Sequence, residues 1–192
     1  MSAVTAPPIS PFKGLAAFAD SELDALFFFG RERERDVIVA NMLATRLTVL
    51  YGESGVGKSS LLAAAVVPGL REAAGGAPVV LRDTWSGELE HLPSQFERDE
   101  EGYLVLDQFE EYFLYHDEEL LRELPELLAT TRVNVLIALR EDSLARLDAF
   151  KASIPGVFAN QLRLEHLDVE QARRAILGPL AHCFYHVSAR CI

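Results

Sequence analysis

The sequence predicts an α/β protein in which a mostly parallel sheet is flanked by helices. Two observations predict this class. Short apolar segments typical of buried strands alternate along the chain with segments whose apolar residues recur at helical spacing. In addition, residues 52–59 match the pattern G-x-x-x-x-G-K-[ST], in which a strand leads through a glycine-rich loop into a helix. Strands that are joined by helices in this way run parallel to one another.

The size and composition are those of one globular domain. The chain has 192 residues, and 49% of them are hydrophobic, which is enough to bury a full core. A formal net charge of −11 makes a nucleic-acid partner unexpected, because nucleic-acid phosphates would be repelled. Two cysteines near the carboxyl end indicate no disulfide framework, and no apolar run could span a bilayer. We therefore expect a cytoplasmic protein without a membrane partner.

The first part of the chain is predicted to pass from a leader into a strand and a helix. Residues 1–11 carry three prolines without hydrophobic periodicity and are expected to be a flexible leader. A helix starts at Asp36, where apolar residues recur at helical spacing. Residues 47–51 form a buried strand, and residues 60–67 form the helix after the glycine-rich loop. The Pro-Gly pair at residues 68–69 is expected to end that helix.

Further strands and helices follow. Apolar strands are predicted at residues 79–81, 103–106, 133–139 and 162–164. Residues 86–102 are polar and acidic and are expected to hold a short helix and a loop. Leucines across residues 120–128 mark a helix face, which Pro125 would bend or restart. Asp168 and Gln171 form a capping-box signal for a last helix, which the Gly-Pro pair at residues 178–179 would end.

The glycine-rich loop is the strongest functional signal. Its glycines let successive backbone N–H groups converge on anionic phosphates, and the positive end of the following helix adds a partial charge beneath them. Lys58 would reach the β and γ phosphates, and Ser59 would hold Mg²⁺. The residues predicted to bind the nucleotide in and beside this loop are Gly52, Glu53, Ser54, Gly55, Val56, Gly57, Lys58, Ser59 and Ser60.

Acidic residues at the end of the strand at residues 103–106 would complete a nucleotide site. Asp107 follows this strand directly, where a carboxylate can hold the Mg²⁺ ion near Ser59. Glu110 and Glu111 come next, and either could accept a proton from a water aligned with the γ phosphate, so both are candidate catalytic residues. A capped helix start or a solvated acidic turn is the alternative interpretation of this pair.

Arg140 is a candidate sensor of the γ phosphate. It ends the strand at residues 133–139, and in a parallel sheet its side chain would emerge at the same edge as the glycine-rich loop and Asp107. The alternative is an ion pair with Glu141, Asp142 or one of the acids after Asp107.

With these residues in place, the chain resembles the STAND-class NTPases, and most of all the group called novel STAND NTPases. The stretches that carry the resemblance are PFKGL, FFGRE, GESGVGKSSL, VLDQFEE, ALREDSLARL and RLEHLDVEQARRAILGP. The resemblance implies a P-loop NTPase domain over residues 12–179, with the start of a carboxyl-terminal helical lid. Residues 180–192 break the resemblance and are expected to be an atypical or truncated tail.

The resemblance also implies roles for individual residues. Gly30 and Arg31 would belong to a segment that wraps the adenine, Glu110 and Glu111 would be the acids associated with hydrolysis, and Arg140 would be the sensor arginine. Proteins of this group are nucleotide switches, in which ADP holds a closed form and ATP permits oligomerisation and signalling, often in stress or anti-phage responses. The implied cofactors are ATP or ADP with Mg²⁺, and the implied partners are other proteins or further copies of the chain.

We therefore expect an ATP-binding, slowly hydrolysing switch, which would make the chain a weak ATPase. Two alternatives remain open. One is a nucleotide-binding interaction module without turnover, and the other is a metabolic phosphotransferase built on the same core. The paired acids after Asp107, and the lack of an obvious substrate-binding insertion in the sequence, argue against the phosphotransferase.

Overall fold

The strands predicted from the sequence form one parallel sheet. A computed structural model describes residues 12–14, 16–85, 96, 101–115 and 120–189. The strands are β1 (Leu47–Gly52), β2 (Val79–Arg82), β3 (Glu101–Leu106), β4 (Arg132–Arg140) and β5 (Gln161–Arg163). Their order across the sheet is β2-β3-β4-β1-β5, and all four pairings are parallel. The predicted fold class is confirmed, and β5 starts one residue earlier than the apolar pattern indicates.

Helices pack on both faces of this sheet. They are α1 (Glu22–Phe27), α2 (Glu32–Ala44), α3 (Lys58–Leu61), α4 (Val67–Ala73), α5 (Phe109–Tyr115), α6 (Leu120–Thr130) and α7 (Val169–Ala189). A 3-10 segment, Glu141–Phe150, follows β4 directly. The sequence patterns do not predict α1 or this segment, and they place the start of α2 too late. Pro125 lies inside α6, and the helix continues past it.

The prediction that the Pro-Gly pair at residues 68–69 ends a helix was wrong. A π-helical turn, Leu62–Val66, joins α3 to α4 without interruption. In this turn the N–H of Val67 donates to the carbonyl oxygen of Leu62, which changes the hydrogen-bond register just before the proline. Pro68 follows at once in α4, so the π-helical turn accommodates its missing N–H within the continuous helix.

The prediction that residues 178–179 end the last helix was also wrong, since α7 runs on to Ala189. Gly178 serves close packing instead, because a Cβ atom on it would lie only 2.5 Å from Cγ of Phe29. The domain boundary expected at residue 179 therefore falls inside α7. The predicted leader at residues 1–11, most of residues 86–102 and the last three residues of the predicted tail lie outside the described residues.

The sheet separates two apolar layers, and β4 contributes to both. Ile137 faces the layer built with α5, α6 and the 3-10 segment, whereas Leu136 faces the layer built with α2 and the helix after the loop. Both side chains are fully buried, which agrees with the continuous apolar run of a strand covered on both faces. Across the described residues, no helix combines the length and the apolarity needed to cross a bilayer.

We predict that Leu136→Ala lowers the free energy of unfolding by about 2–5 kcal/mol, because it removes a fully buried side chain and leaves a cavity in the central strand. Leu114→Ala is the matched control, since Leu114 is 67% exposed, and it should change stability by less than about 0.5 kcal/mol. Urea denaturation of the three proteins measures both effects. Equal losses for the two variants would contradict the placement of β4 at the centre of the core.

Candidate functional site

The glycine-rich loop lies between the end of β1 and the start of α3, as the sequence predicts. Gly55 and Gly57 have φ angles of 78° and 95°, in the left-handed region that favours glycine. Gly57 caps the amino end of α3, so the loop and the helix end are adjacent, as in phosphate-binding loops. Gly52, Val56 and Lys58 are buried, whereas Glu53, Ser54, Gly55 and Gly57 are exposed, and Ser59 and Ser60 are half-buried.

The Lys58 side chain is folded back onto the loop. Its Nζ donates hydrogen bonds to the carbonyl oxygens of Gly52 and Glu53, each at 2.9 Å. Burial lowers the pKa of Lys58, while the nearby carboxylates of Glu110 and Asp107 act in the opposite direction. A lysine ammonium has three donors, so it can contact an incoming phosphate while it keeps part of this attachment.

The carboxyl ends of the central strands meet beside the loop. Gly52 of β1 lies opposite Arg140 of β4 in the parallel register, so Arg140 is placed at the edge that the sequence predicts. The Arg140 guanidinium pairs with Asp142, which is the alternative partner expected from the sequence, and it is about half exposed. On the other side of β1, a Cβ atom on Gly52 would lie 2.5 Å from the Leu164 carbonyl oxygen, so only glycine fits there.

Asp107 is a buried carboxylate beside Ser59. Its side chain is 2% exposed and accepts hydrogen bonds from the Ser59 hydroxyl and from the Gln108 backbone N–H. Burial raises the pKa of Asp107, and these two hydrogen bonds act in the opposite direction. Within the described part of the chain, its Oδ1 atom has no hydrogen-bond partner. A buried carboxylate oxygen without a partner is costly, and a cation is one group that would satisfy it.

The backbone around Asp107 is also held in place. Trp85 donates from its indole Nε1 to the Asp107 carbonyl oxygen at 2.7 Å. The Trp85 ring packs edge-to-face against Phe109 and Tyr112 of α5. Gln108 has a φ of 51°, an uncommon value for a residue other than glycine, and it turns the chain sharply from β3 into α5. The position of Asp107 is therefore set by both the strand and the helix that follows.

The residues present fit a magnesium ion that arrives with a nucleotide. Mg²⁺ is usually held by one or two protein oxygens together with phosphate oxygens and waters. The Ser59 hydroxyl and the free Oδ1 of Asp107 supply oxygens of this kind. The described residues contain no cluster of three or more His, Cys, Asp or Glu side chains that could hold a metal ion without a nucleotide.

The structure separates the two predicted catalytic acids. Successive residues of an α-helix point about 100° apart, so the two side chains leave α5 in different directions. Glu110 lies at the edge: its Oε2 accepts a hydrogen bond from the Arg140 backbone N–H at 3.1 Å, and its charge acts on Lys58. Glu111 lies on a different side of the first turn of α5, where its N–H donates to the Gln108 carbonyl oxygen.

Arg31 and Gly30 contact protein groups. The Arg31 side chain is 5% exposed, and its Nη2 donates to the carbonyl oxygens of Val56 at 3.1 Å and Glu165 at 2.7 Å. Its Nη1 pairs with Glu34 at 3.0 Å. A Cβ atom on Gly30 would overlap the Gln171 carbonyl oxygen, so this glycine permits close packing against α7.

An apolar cavity of about 190 Å³ lies against the glycine-rich loop. The sequence indicates that the phenylalanines before residue 30 pack in the core or flank an adenine, but it does not reveal the other walls. Phe18 and Phe28 meet edge-to-face there, with ring centroids 5.3 Å apart. Leu167 and Ala175 of α7 also line the cavity, and Ser60 accepts a hydrogen bond from the Phe18 N–H.

Comparison with protein families gives a match over nearly the whole chain. The sequence matches the family described as Novel STAND NTPase 1 over residues 11–88 and 81–192. A search of curated proteins found no match.

Two solved structures from Aeropyrum pernix share the fold. The ORC2 protein, described in ADPNP-ADP complexes, has a TM-score of 0.50 and 17% identity, covering 70% of this chain and 47% of that one. The ORC1 protein, described in complex with DNA, has a TM-score of 0.57 and 16% identity, covering 83% of this chain and 51% of that one. The present chain thus spans about half the length of either protein.

We predict that Asp107→Asn raises the melting temperature of the protein without nucleotide or Mg²⁺ at neutral and alkaline pH. The raised pKa of Asp107 means that its contribution to stability is present below its ordinary value of 3.8 and is lost as pH rises through the folded-state pKa. Above that pH the wild type carries a buried charge, which the neutral amide removes. Thermal melts from about pH 4 to pH 9 should show a gain that grows with pH.

Asp148→Asn is the control for this experiment, because the Asp148 side chain is 59% exposed in an ion pair with Lys151. Its effect should be small and should hardly change with pH. A lower melting temperature for Asp107→Asn throughout the range would show that Asp107 is stabilised by groups other than those described.

Proposed function

Because the chain belongs to the novel STAND NTPase family, we propose that it binds ATP and ADP with Mg²⁺ and acts as a slowly hydrolysing nucleotide switch in signalling or defence. The observation that carries this proposal is the pairing of Asp107 with Ser59 directly beside Lys58. A lysine, a hydroxyl and a buried carboxylate are the side chains that a Mg·nucleotide requires at a phosphate-binding loop.

The phosphates would lie over the loop and the amino end of α3. Backbone N–H groups of the loop and the Lys58 ammonium would contact their oxygens. The Arg140 guanidinium would move from Asp142 to the γ phosphate, since both acceptors are anionic and the Arg140–Asp142 pair is half exposed and therefore weak. Mg²⁺, held by Ser59 and Asp107, would offset the charge that develops on the phosphate oxygens.

The apolar cavity beside the loop supports binding of a base. Its walls are aromatic and aliphatic, which suits the faces of a flat, apolar ring system. Gly57 and Ser60 line both the cavity and the loop, so a base in this cavity would be connected to phosphates over the same loop. The expected role of Gly30 and Arg31 in wrapping the adenine is supported by the position of their segment, since Phe28, Phe29 and Arg31 line the cavity.

The contacts of Glu110 support slow turnover. A general base must accept a proton from a water in line with the γ phosphate. One Glu110 oxygen already accepts a hydrogen bond from the Arg140 backbone N–H, so the carboxylate is partly engaged by the protein before a water approaches. The same contact favours a second candidate function, in which the protein binds nucleotide without hydrolysis.

The partners would be nucleotide and protein, without nucleic acid. The DNA complex of ORC1 concerns that protein, and a net charge of −11 on the present chain opposes binding to a phosphate backbone. Self-association or binding of other proteins would then carry the signal, with the chain placed in the cytoplasm.

We predict that Lys58→Ala weakens binding of Mg·ATP about tenfold to a hundredfold, because a charge-assisted hydrogen bond contributes about 1.5–3 kcal/mol. Titration calorimetry measures the affinities. Lys151→Ala is the control, since the Lys151 side chain is 56% exposed far from the loop in sequence, and it should bind as the wild type does. Equal affinity of the wild type and Lys58→Ala would contradict the proposed site.

We predict that Glu110→Gln reduces ATP hydrolysis about 10²-fold to 10⁴-fold while ATP affinity changes little, because the amide keeps the shape of the side chain but cannot accept the proton. Glu111→Gln is the matched control and should hydrolyse ATP at the wild-type rate. Phosphate release at saturating ATP measures both. Loss of turnover in Glu111→Gln alone would exchange the roles of the two acids, and binding without turnover in the wild type would establish the second candidate function.

A further inference from the structure

Arg31 joins three separate parts of the chain. Its guanidinium contacts Val56 in the glycine-rich loop, Glu165 between β5 and α7, and Glu34 in α2. Because the side chain is 5% exposed and these contacts use both terminal nitrogens, its geometry is closely defined. Arginine suits such a position, since its planar group presents several donors in fixed directions.

The contact with Val56 has a direct consequence for phosphate binding. A trans peptide is planar, so the C=O of one residue and the N–H of the next point in opposite directions. When Arg31 holds the Val56 carbonyl oxygen, it also fixes the direction of the Gly57 N–H, which lies at the start of α3. The Gly57 N–H is one of the donors that a phosphate-binding loop presents to its ligand.

The same arginine is connected to the amino end of α7. Glu34 Oε1, which pairs with Arg31, also accepts a hydrogen bond from Gln171 Nε2 at 2.6 Å. Gln171 and Asp168 form the reciprocal capping box that starts α7, with distances of 2.7 and 3.0 Å. Hydrogen bonds therefore run without a break from the Val56 carbonyl group, through Arg31 and Glu34, to the first turn of α7.

Packing reinforces this connection. A Cβ atom on Gly30 would overlap the Gln171 carbonyl oxygen, and one on Gly178 would lie 2.5 Å from the Phe29 ring. The segment that carries Arg31 is therefore in close contact with α7 at two levels of the helix. Close-packed elements shift together, so a displacement of this segment would displace α7.

We propose that Arg31 is a positioning residue that couples the glycine-rich loop to α7, so that nucleotide in the loop and docking of the amino end of α7 favour each other. This inference rests on the proposed nucleotide binding. Phosphates that engage the Gly57 N–H hold the Val56 carbonyl group towards Arg31, which strengthens the bonds that keep Glu34 and Gln171 in place. The coupling is reciprocal, because a ligand that stabilises one arrangement of α7 is bound more tightly when α7 already has that arrangement.

Hydrogen exchange of the α7 amides, measured with and without Mg·ADP, tests the coupling, and calorimetry gives the affinity. In the wild type, Mg·ADP should slow exchange in the first turns of α7. Arg31→Lys keeps the charge but replaces two spaced donor nitrogens by a single one. It should abolish this slowing and weaken Mg·ADP binding about tenfold. Gln171→Ala removes the contact with Glu34 together with the Gln171 half of the capping box. It should abolish the slowing, which keeps the proposal testable if Arg31→Lys does not fold.

Arg174→Gln is the matched control. It removes a different contact between α7 and α2, the exposed ion pair of Arg174 with Glu32 at 3.5 Å, and it should show the wild-type slowing. A merely structural role would change α7 exchange equally with and without Mg·ADP. Nucleotide-induced slowing that persists in Arg31→Lys and Gln171→Ala would overturn the coupling, as would tight binding by the wild type without slowing. Failure of the wild type to bind Mg·ADP would overturn the proposed function as well.

Discussion

The parallel register between β1 and β4 is the constraint on which the whole site depends. It sets Gly52 opposite Arg140, and the pairing of β4 with β3 brings the end of β3, and thus Asp107, to the same edge. A shift of one residue in either pairing would turn every side chain of the moved strand to the other face. The two apolar layers oppose such a shift, because the β4 side chains that pack in one layer would have to be accommodated in the other. The hydrophobic core thus determines the geometry of the polar edge.

The cationic side chains at this edge all have protein acceptors. Lys58 contacts two loop carbonyl groups, Arg140 pairs with Asp142, and Arg31 contacts carbonyl groups and a carboxylate. A phosphate ligand therefore has to compete with these contacts, which reduces its affinity for the site. The same contacts hold the cationic side chains in defined positions before the ligand binds. Asp107 is the opposite case, since its buried Oδ1 would gain a partner when a cation binds. A cation that arrived with a nucleotide would therefore offset part of the cost of displacing the protein acceptors.

The sequence predicts the parallel sheet, the loop and Asp107 because each depends on a short local pattern. Other features depend on contacts between distant residues and cannot be found this way. Pro68 and Gly178 resemble helix ends in the sequence, but a π-helical turn accommodates the first and close packing on Phe29 requires the second. The different directions of Glu110 and Glu111 depend on how α5 is rotated about its axis relative to the sheet, which no sequence pattern specifies. The partners of Arg31 lie as far as 134 residues away in the chain.

The environment of Trp85 makes the site observable without a label. Trp85 is the only tryptophan of the chain, and its indole N–H is bonded to the carbonyl group of Asp107 while its ring packs on α5. Indole emission depends on the local electric field and on nearby charges. Any change of charge or position at Asp107 therefore changes the emission of the Trp85 indole. The intrinsic fluorescence spectrum of the unmodified chain therefore reports the state of the Asp107 carboxylate.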